Sequence, residues 1–371
     1  MRFLAASRVP TPRSGSQMAA PAIVIASAGI VSPIGLSLAE TAAAARARIA
    51  RLREVAWHDR RFEPFIVGSV PDDVLPELAA SLAALPLQAR EARMLRLAQV
   101  ALEETLAPVL GKAGPLPLLL GLPEQHTTLP IKPEAFLQRL NLQVPGVLDV
   151  ERSVAAPRGR AAGLMALREA AARLTRGDSP YVLVGGVDSL VDLYVLGTLD
   201  LQGRIRNEVN SDGFSPSEGA AFLLLSLAST AQADGLKPWA HLLGSAQGQE
   251  PGHLYSDEAY LGEGLAATFA ALLAESPPPQ PIACVYCSFN GERYWAREFG
   301  VARLRQSHAF VADHQIEHPA ECLGDMGSAH GPALAALAAH GMQQGYRASP
   351  CLVYASSDYG DRAATLLSRH P

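Results

Sequence analysis

Four cysteines and a scatter of histidines are the first residues here whose types suggest chemistry. Cys284-Val285-Tyr286-Cys287, followed by His318 and Cys322, has a superficial zinc spacing. The pair falls in an apolar run that predicts a buried strand, where positions i and i+3 point to opposite faces and cannot share one ion. Unpaired cysteines are among the most buried residue types, so core packing is the better reading of these two. His314, His318 and Cys322 recur at i, i+4 and i+8, the spacing of one helical face. Pro319 breaks that helix, and no carboxylate or second Cys-x-x-Cys completes a four-ligand set, so no metal is expected. No Gly-x-Ser-x-Gly elbow occurs. His330 as a base with Ser356 or Ser357 as nucleophile needs geometry that spacing cannot supply, and a polar residue near a helix start is the simpler reading. Neither common Gly-rich phosphate loop is present, so no cofactor is expected.

Arg46, Arg48, Arg51 and Arg53, with Arg60 and Arg61, form the one basic concentration. It reads as a solvated helix face, or as a docking surface for an acidic partner. The whole chain has 31 Lys and Arg against 36 Asp and Glu, a net charge of −5, which argues against nucleic acid or an anionic membrane as partner. Its 371 residues, 49% of them hydrophobic, supply the core of one large or two medium domains. No apolar run approaches the roughly 20 residues that span a bilayer. Residues 1–21 are basic without the apolar stretch of a signal peptide and read as a flexible leader, with Met18 an alternative start. Cys284, Cys287, Cys322 and Cys351 all fall in the last quarter, which is no disulfide framework, so a reducing cytoplasm is expected.

The elements that must position these residues alternate. Val-, Ile- and Leu-rich segments at Ala22–Ala28, Pro117–Leu122, Tyr181–Val187, Ala220–Ser226, Ile282–Ser288 and Cys351–Ser356 predict buried strands, with Ala240–Gly244 a weaker one. Between them Leu38–Glu54, Ala89–Leu110, Ala161–Arg176, Leu261–Leu273 and Pro332–Gln343 have helical period. Ala161–Arg176 carries Arg173 and Arg176 in its last turn and Gly177 after it, a well-specified stop. The pattern is α/β, with a break near Ala233-Asp234-Gly235 that divides the chain into halves at residues 22–235 and 236–371.

Three segments carry a resemblance. Ala28-Gly29-Ile30-Val31-Ser32-Pro33-Ile34-Gly35 follows a strand; Arg176-Gly177-Asp178 leads into Val182-Leu183-Val184-Gly185-Gly186-Val187-Asp188; and Asp212-Gly213-Phe214-Ser215-Pro216-Ser217-Glu218-Gly219-Ala220-Ala221 precedes a Leu-rich strand. In this order they resemble the thiolase superfamily, specifically its β-ketoacyl synthases, over about residues 22–368. Glycines at strand ends also have an architectural role independent of any family. The resemblance implies a thiolase-like layered αβαβα fold of two similar halves with mostly parallel sheets.

The chemistry of that family needs a cysteine nucleophile at a helix N-terminus and two histidines that stabilise developing negative charge. Counting back from Gly177, the resemblance puts the nucleophile's position at Arg160, which has no nucleophilic lone pair. The first histidine's position falls on Asn290 in Phe289-Asn290-Gly291, and the second's on Asp325 in Leu323-Gly324-Asp325-Met326-Gly327. The usual lysine falls on Ala320, and the C-terminal Gly-rich loop is Ser356-Ser357-Asp358-Tyr359-Gly360-Asp361. Gly163, Gly291, Asp358 and Tyr359 are further cleft candidates. If the fold holds, Arg160 and Asp325 are expected to form a buried ion pair beside Asn290.

The expected function is therefore a synthase-like protein without the catalytic set, a non-condensing accessory subunit. The resemblance implies a homodimer, or a heterodimer with a homologue, as in the chain-length factors of polyketide systems, where Gln often replaces the nucleophile. An acyl carrier protein is a further partner to expect, or a secretion effector, since the chain also resembles accessory proteins encoded beside type VI effectors. The alternative is an acyltransferase or acyl-thioester binder using other residues of the cleft, with Asn290 and backbone amides after Arg160 as oxyanion donors. An open tunnel would favour the alternative and a blocked pocket the first reading.

Overall fold

The computed structural model describes residues 21–125 and 130–370; residues 1–20 of the expected leader, Met18 among them, lie outside the described residues. Twelve strands are formed: β1 (Ile23–Val31), β2 (Leu52–His58), β3 (Pro64–Gly68), β4 (Leu118–Gly121), β5 (Val154–Ala156), β6 (Tyr181–Ser189), β7 (Glu218–Leu227), β8 (Ala240–Gln249), β9 (Ile282–Cys287), β10 (Phe310–Glu317), β11 (Cys351–Ser356) and β12 (Asp361–Ser368). The helices are α1 (Leu38–Arg46), α2 (Ala80–Ala83), α3 (Ala89–Leu106), α4 (Pro133–Gln143), α5 (Ala162–Arg176), α6 (Leu193–Leu201), α7 (Ala228–Ala233), α8 (Glu263–Glu275), α9 (Arg293–Arg305), α10 (Ala320–Leu323) and α11 (His330–Gln343).

One topology occurs twice. The first half orders its strands β5-β4-β6-β7-β1 and the second β10-β9-β11-β12-β8, the same sequence of positions. In each, the strand pairings place four strands in one direction, with only β7 or β12 reversed. Each half is thus a mostly parallel sheet. The two meet where Ile23, Val24 and Ile25 pair with Leu242, His241 and Ala240, antiparallel, giving ten strands in all.

Burial sets the layers. Apolar residues of α5 and α11 form one core with both sheets, including Leu164, Leu167, Leu334, Val184 and Val353. Outside the first half, α3 and α4 cover the other sheet face through Met94, Leu95, Phe136 and Leu140. Outside the second, α8 and α9 do so through Leu265, Phe269 and Phe299. The result is helix, sheet, helix, sheet, helix, the expected αβαβα arrangement. A small fourth cluster joins the β2–β3 hairpin to α6 through Phe65, Val67, Leu196 and Leu199.

The helix expected over Leu38–Glu54 ends at Arg46. Ile49 N–H donates to the Ala44 carbonyl and Arg48 N–H to that of Ala45, with Arg48 itself at φ 54°, so the stop is a Schellman cap built without glycine. Beyond it the chain turns into β2, and the arginines expected on one helix face are spread over α1 and the hairpin. Arg46 stacks 4.0 Å over Tyr346, while Arg48 pairs with Glu321 and Arg61 with Asp59. The expected cap on α5 forms as read, with Gly177 at φ 75° and Asp178 N–H on the Arg173 carbonyl. His314 lies on strand β10 and Cys322 on α10, so the three spaced residues share no helix face. Cys284 and Cys287 both lie buried on β9, Cys284 in the central core and Cys287 in the outer one. No helix among the described residues is long and apolar enough to cross a membrane.

Candidate functional site

The site lies where the two central helices begin. Arg160 sits in the turn Gly159–Ala161 that opens α5, a position where the helix dipole disfavours a cation. Asp325 lies on the approach to α11, where an anion is favoured, and its Oδ1 accepts the Gly327 N–H at 2.9 Å. Its backbone is fixed by Ser217 N–H on its carbonyl and by its own N–H on that of Ser215. That contact places the Asp212–Ala221 motif directly behind the site.

Arg160 and Asp325 pair at 2.8 Å, with Arg160 6% and Asp325 0% exposed. Asn290 Nδ2 donates to the same Asp325 oxygen at 2.7 Å. The three positions singled out from the sequence therefore meet. Arg160 also donates Nε to the Ser356 carbonyl at 3.0 Å and pairs through Nη2 with Asp358. Its guanidinium lies 4.8 Å from the Trp295 ring centroid.

From Asp358 the network continues. Arg204 Nη1 meets Asp358 Oδ2 at 2.7 Å, and its Nε and Nη2 grip Glu292 through both oxygens, each at 2.8 Å. Glu292 in turn accepts from Trp295 Nε1 at 2.8 Å and from Asn290 Nδ2 at 3.2 Å. The side chains thus close a ring, Asp325–Arg160–Asp358–Arg204–Glu292–Asn290, in which charges alternate and one negative charge is in surplus.

The electrostatics follow from burial and neighbours. Burial opposes the charge of Arg160, but Asp325 and Asp358 more than offset it and hold the guanidinium above its ordinary range. Burial also acts to raise the Asp325 carboxyl; Arg160 foremost, with His330, Asn290 and the Gly327 N–H, outweighs it and keeps the pKa below the usual value. Burial pushes His330 down to about 4, with Asp325 opposing and Arg160 assisting, so its ring is neutral. Neither of its ring nitrogens has a hydrogen-bond partner among the described residues.

Two buried ion pairs flank the ring. Arg362 and Glu298, both 0% exposed in their side chains, pair at 2.6 Å near Trp295. Arg90 pairs with Asp188 at 2.8 Å, and Asp188 accepts the Ser328 N–H at 3.0 Å just before α11. The cavity beside the ring, walled by Arg90, Glu124, Arg160, Asp188, Arg204 and Phe214, measures about 70 Å³. That is well below the roughly 300–1,000 Å³ of a ligand pocket.

The remaining candidates divide. Asp358 is central to the ring, and Tyr359, 41% exposed, stacks on Tyr255 at the rim. Gly163 is instead a helix-packing position, since a Cβ there would come within 2.2 Å of Pro332 on α11. Gly291, at φ 121°, approaches the Gly213 backbone. Neither lines the cavity. The Ser and His constellation does not assemble: Ser356 Oγ donates to Glu298, Ser357 Oγ to the Arg158 carbonyl, and His330 to neither. Among the described residues no group of three or more His, Cys, Asp or Glu is placed to hold a metal ion. Arg204, Glu292, Trp295 and Glu124 were not anticipated. Charge balance was the available signal, since a buried Arg160 needs carboxylates and the loop carrying Asn290 also holds Glu292.

Comparison with solved structures identifies the architecture. The ishigamide ketosynthase/chain length factor matches 95% of this chain and 100% of its own at a TM-score of 0.75 and 16% identity. The ketosynthase from module 6 of the bacillaene synthase of Bacillus subtilis 168 gives 0.76 over 94% of this chain and 72% of its own, at 14% identity. The fold is that of the ketosynthases. A third ketosynthase-fold neighbour, AntDE, solved with its type II polyketide synthase acyl-carrier protein AntF, matches 94% of this chain and 99% of its own at 0.72 and 16% identity. In sequence, 97 residues are 36% identical to a 6-methylsalicylic acid synthase of Arthrobotrys oligospora, spanning 24% of this chain and 6% of that enzyme. No family model matches the chain.

Proposed function

We propose that this ketosynthase-fold protein condenses no acyl chains and serves as an accessory subunit. The observation that carries the reading is the 2.8 Å pair between Arg160 and Asp325 inside a closed ring of side chains. On the resemblance drawn from the sequence, Arg160, Asn290 and Asp325 stand where the nucleophile and two histidines would be. Arg160 cannot accept an acyl group, and the Asp325 carboxylate opposes an oxyanion instead of stabilising it. A cavity of about 70 Å³ supports the same conclusion, because it cannot hold an acyl chain.

The partner we propose is a second chain of the same fold, either another copy or an active homologue. The ketosynthase/chain length factor among the neighbours favours this over a secretion effector. Strand β5, at the end of the sheet and with Val154 50% exposed, offers an edge for such pairing. A carrier protein would then dock on the assembly, as the AntF complex illustrates for its own ketosynthase. The test is intact-mass measurement after incubation with acyl and malonyl thioesters, with thioester loss followed in parallel. Unchanged mass and no catalysed loss are expected; a covalent adduct or turnover overturns the proposal. Light scattering of the purified chain, alone and mixed with a ketosynthase homologue, reads the partner.

A further inference from the structure

The second half carries a larger cavity at the far end of two strands that the ring also uses. It opens where β9 and β11 begin, between Gln280, the Arg347–Pro350 connection and the end of β12, whereas Asn290, Glu292 and Asp358 follow the other ends of β9 and β11. Each of these strands is six residues long, so at about 3.3 Å per residue the two places are about 20 Å apart. The cavity measures about 610 Å³, within the roughly 300–1,000 Å³ of a ligand pocket.

Its charged walls have one sign. Arg347, Arg369 and His370 line it, with no Asp or Glu among the described residues that do so; beside the ring, by contrast, Glu124, Asp188 and Asp358 answer the arginines. The two guanidinium groups are anchored without being saturated. Arg347 donates Nε to the Tyr286 hydroxyl at 2.9 Å and pairs through Nη2 with Glu317 at 2.8 Å, which leaves Nη1 with no partner among the described residues. Its guanidinium also lies 5.4 Å from the Tyr346 ring centroid. Arg369 donates Nη2 to the Met342 carbonyl at 2.7 Å, which satisfies part of the carbonyl end of α11, and its Nε and Nη1 have no partner among the described residues. In the same wall the Ser349 and Ser368 hydroxyls lie 3.2 Å apart and accept the backbone N–H of Arg369 and of His370. One of the two donates to the other, so one hydroxyl hydrogen is left over.

We propose that this pocket binds a small organic oxyanion, its phosphate or carboxylate group held by the open donors of Arg347 and Arg369. A guanidinium presents its donors in a rigid fork that suits such oxygens, and an anchored one loses less freedom on binding than a mobile one. Glu317 does not cancel the charge: set against Arg347 and Arg369 together, it leaves a positive charge in surplus. Because the pocket and the ring lie at opposite ends of β9 and β11, the assignment is independent of whether the ring site retains acyl chemistry.

Isothermal titration calorimetry of the full chain tests it, with sodium pyrophosphate and sodium citrate as separate probes at one fixed ionic strength. Saturable binding of at least one probe at a single site is expected, and the tighter probe assigns the group as phosphate or carboxylate. Arg369→Gln, an exposed change that leaves Arg347 and its contacts in place, is expected to weaken that binding about tenfold, the worth of one charge-assisted hydrogen bond. Arg176→Gln, at the exposed end of α5, is expected to leave it unchanged. No saturable binding of either probe to the wild type, or an affinity that Arg369→Gln does not move, overturns the assignment. The wild-type titration stands even if a variant folds poorly.

Discussion

Asp325→Ala isolates the energetics of the buried ring. The carboxylate is fully buried and accepts from Arg160 at 2.8 Å, from Asn290 at 2.7 Å and from Gly327 at 2.9 Å. Breaking a buried pair by removing one partner costs about 3–5 kcal/mol, because the other charge is left uncompensated. Arg160 keeps Asp358, which points to the lower end, about 3 kcal/mol. With about 2.1 cal/mol/K of unfolding entropy per residue over 371 residues, that is a fall in Tm of about 4 °C. Urea denaturation followed by circular dichroism, with an unchanged slope, measures the same quantity at 25 °C. Removing both charges should cost much less than the single changes suggest: Arg160→Met with Asp325→Leu is expected to recover at least half the loss, a coupling that a double-mutant cycle reads directly. A single variant within about 0.5 kcal/mol of wild type, the scale of ordinary surface changes, or a strictly additive double variant, would refute the argument from buried charge.

Glu124 and His330 make opposite contributions to the pH profile. His330 falls from 6.5 to about 4 in the folded chain, so its stability is complete above 6.5 and is lost as pH falls toward 4, by about 3 kcal/mol at most. Glu124 rises from 4.5 to about 7, so its contribution is complete below 4.5 and is lost as pH rises through 7, by about 1–2 kcal/mol after allowing for its partial exposure. Between pH 4.5 and 6.5 the two partly cancel: Glu124→Gln should steepen the rise of Tm with pH, and His330→Leu should reverse it, whereas parallel profiles for both would disprove the assignment. Arg160→Cys places a thiol at the start of α5, yet Asp325 then faces it without a cation, while Asp358 keeps Arg204. Iodoacetamide labelling of the folded variant is expected to need alkaline pH; fast labelling at pH 7 would show that the helix dipole outweighs the carboxylates.

How far the sequence reached depended on whether a feature was local. The strand segments beginning Tyr181, Ile282 and Cys351 and the α5 cap with Gly177 are written in contiguous residues, and they form where read. The end of α1 was illegible because its left-handed cap uses Arg48, which carries no signal of a stop. β12 was missed because Ala363-Ala364-Thr365-Leu366-Leu367 has no alternation to read; its strand state comes from pairing with β8 and β11 on both sides. In the site, Arg160, Asn290 and Asp325 were found by their place in motifs. Arg204 and Glu292 belong to no motif, 88 residues apart in sequence, and only folding brings them together.

The ring also bears on why the arrangement persists as a whole. Its members come from separate loops: Arg160 before α5, Arg204 after α6, Asn290 and Glu292 after β9, Asp325 before α11, and Asp358 between β11 and β12. Arg160 and Arg204 belong to the first half and the four others to the second, so each guanidinium ties one topological repeat to the other. A half-satisfied polar network is worse than an apolar core, which makes any one of these residues hard to change alone. In a condensing site the same loops must leave room for an acyl group and a moving proton. Here each charged side chain is bonded to at least two others, so the loops brace one another, and the outer faces of α3 and α8 and the edge at β5 are held in fixed relation across the two sheets. On the accessory role proposed above, that rigidity presents a partner with a surface of fixed shape.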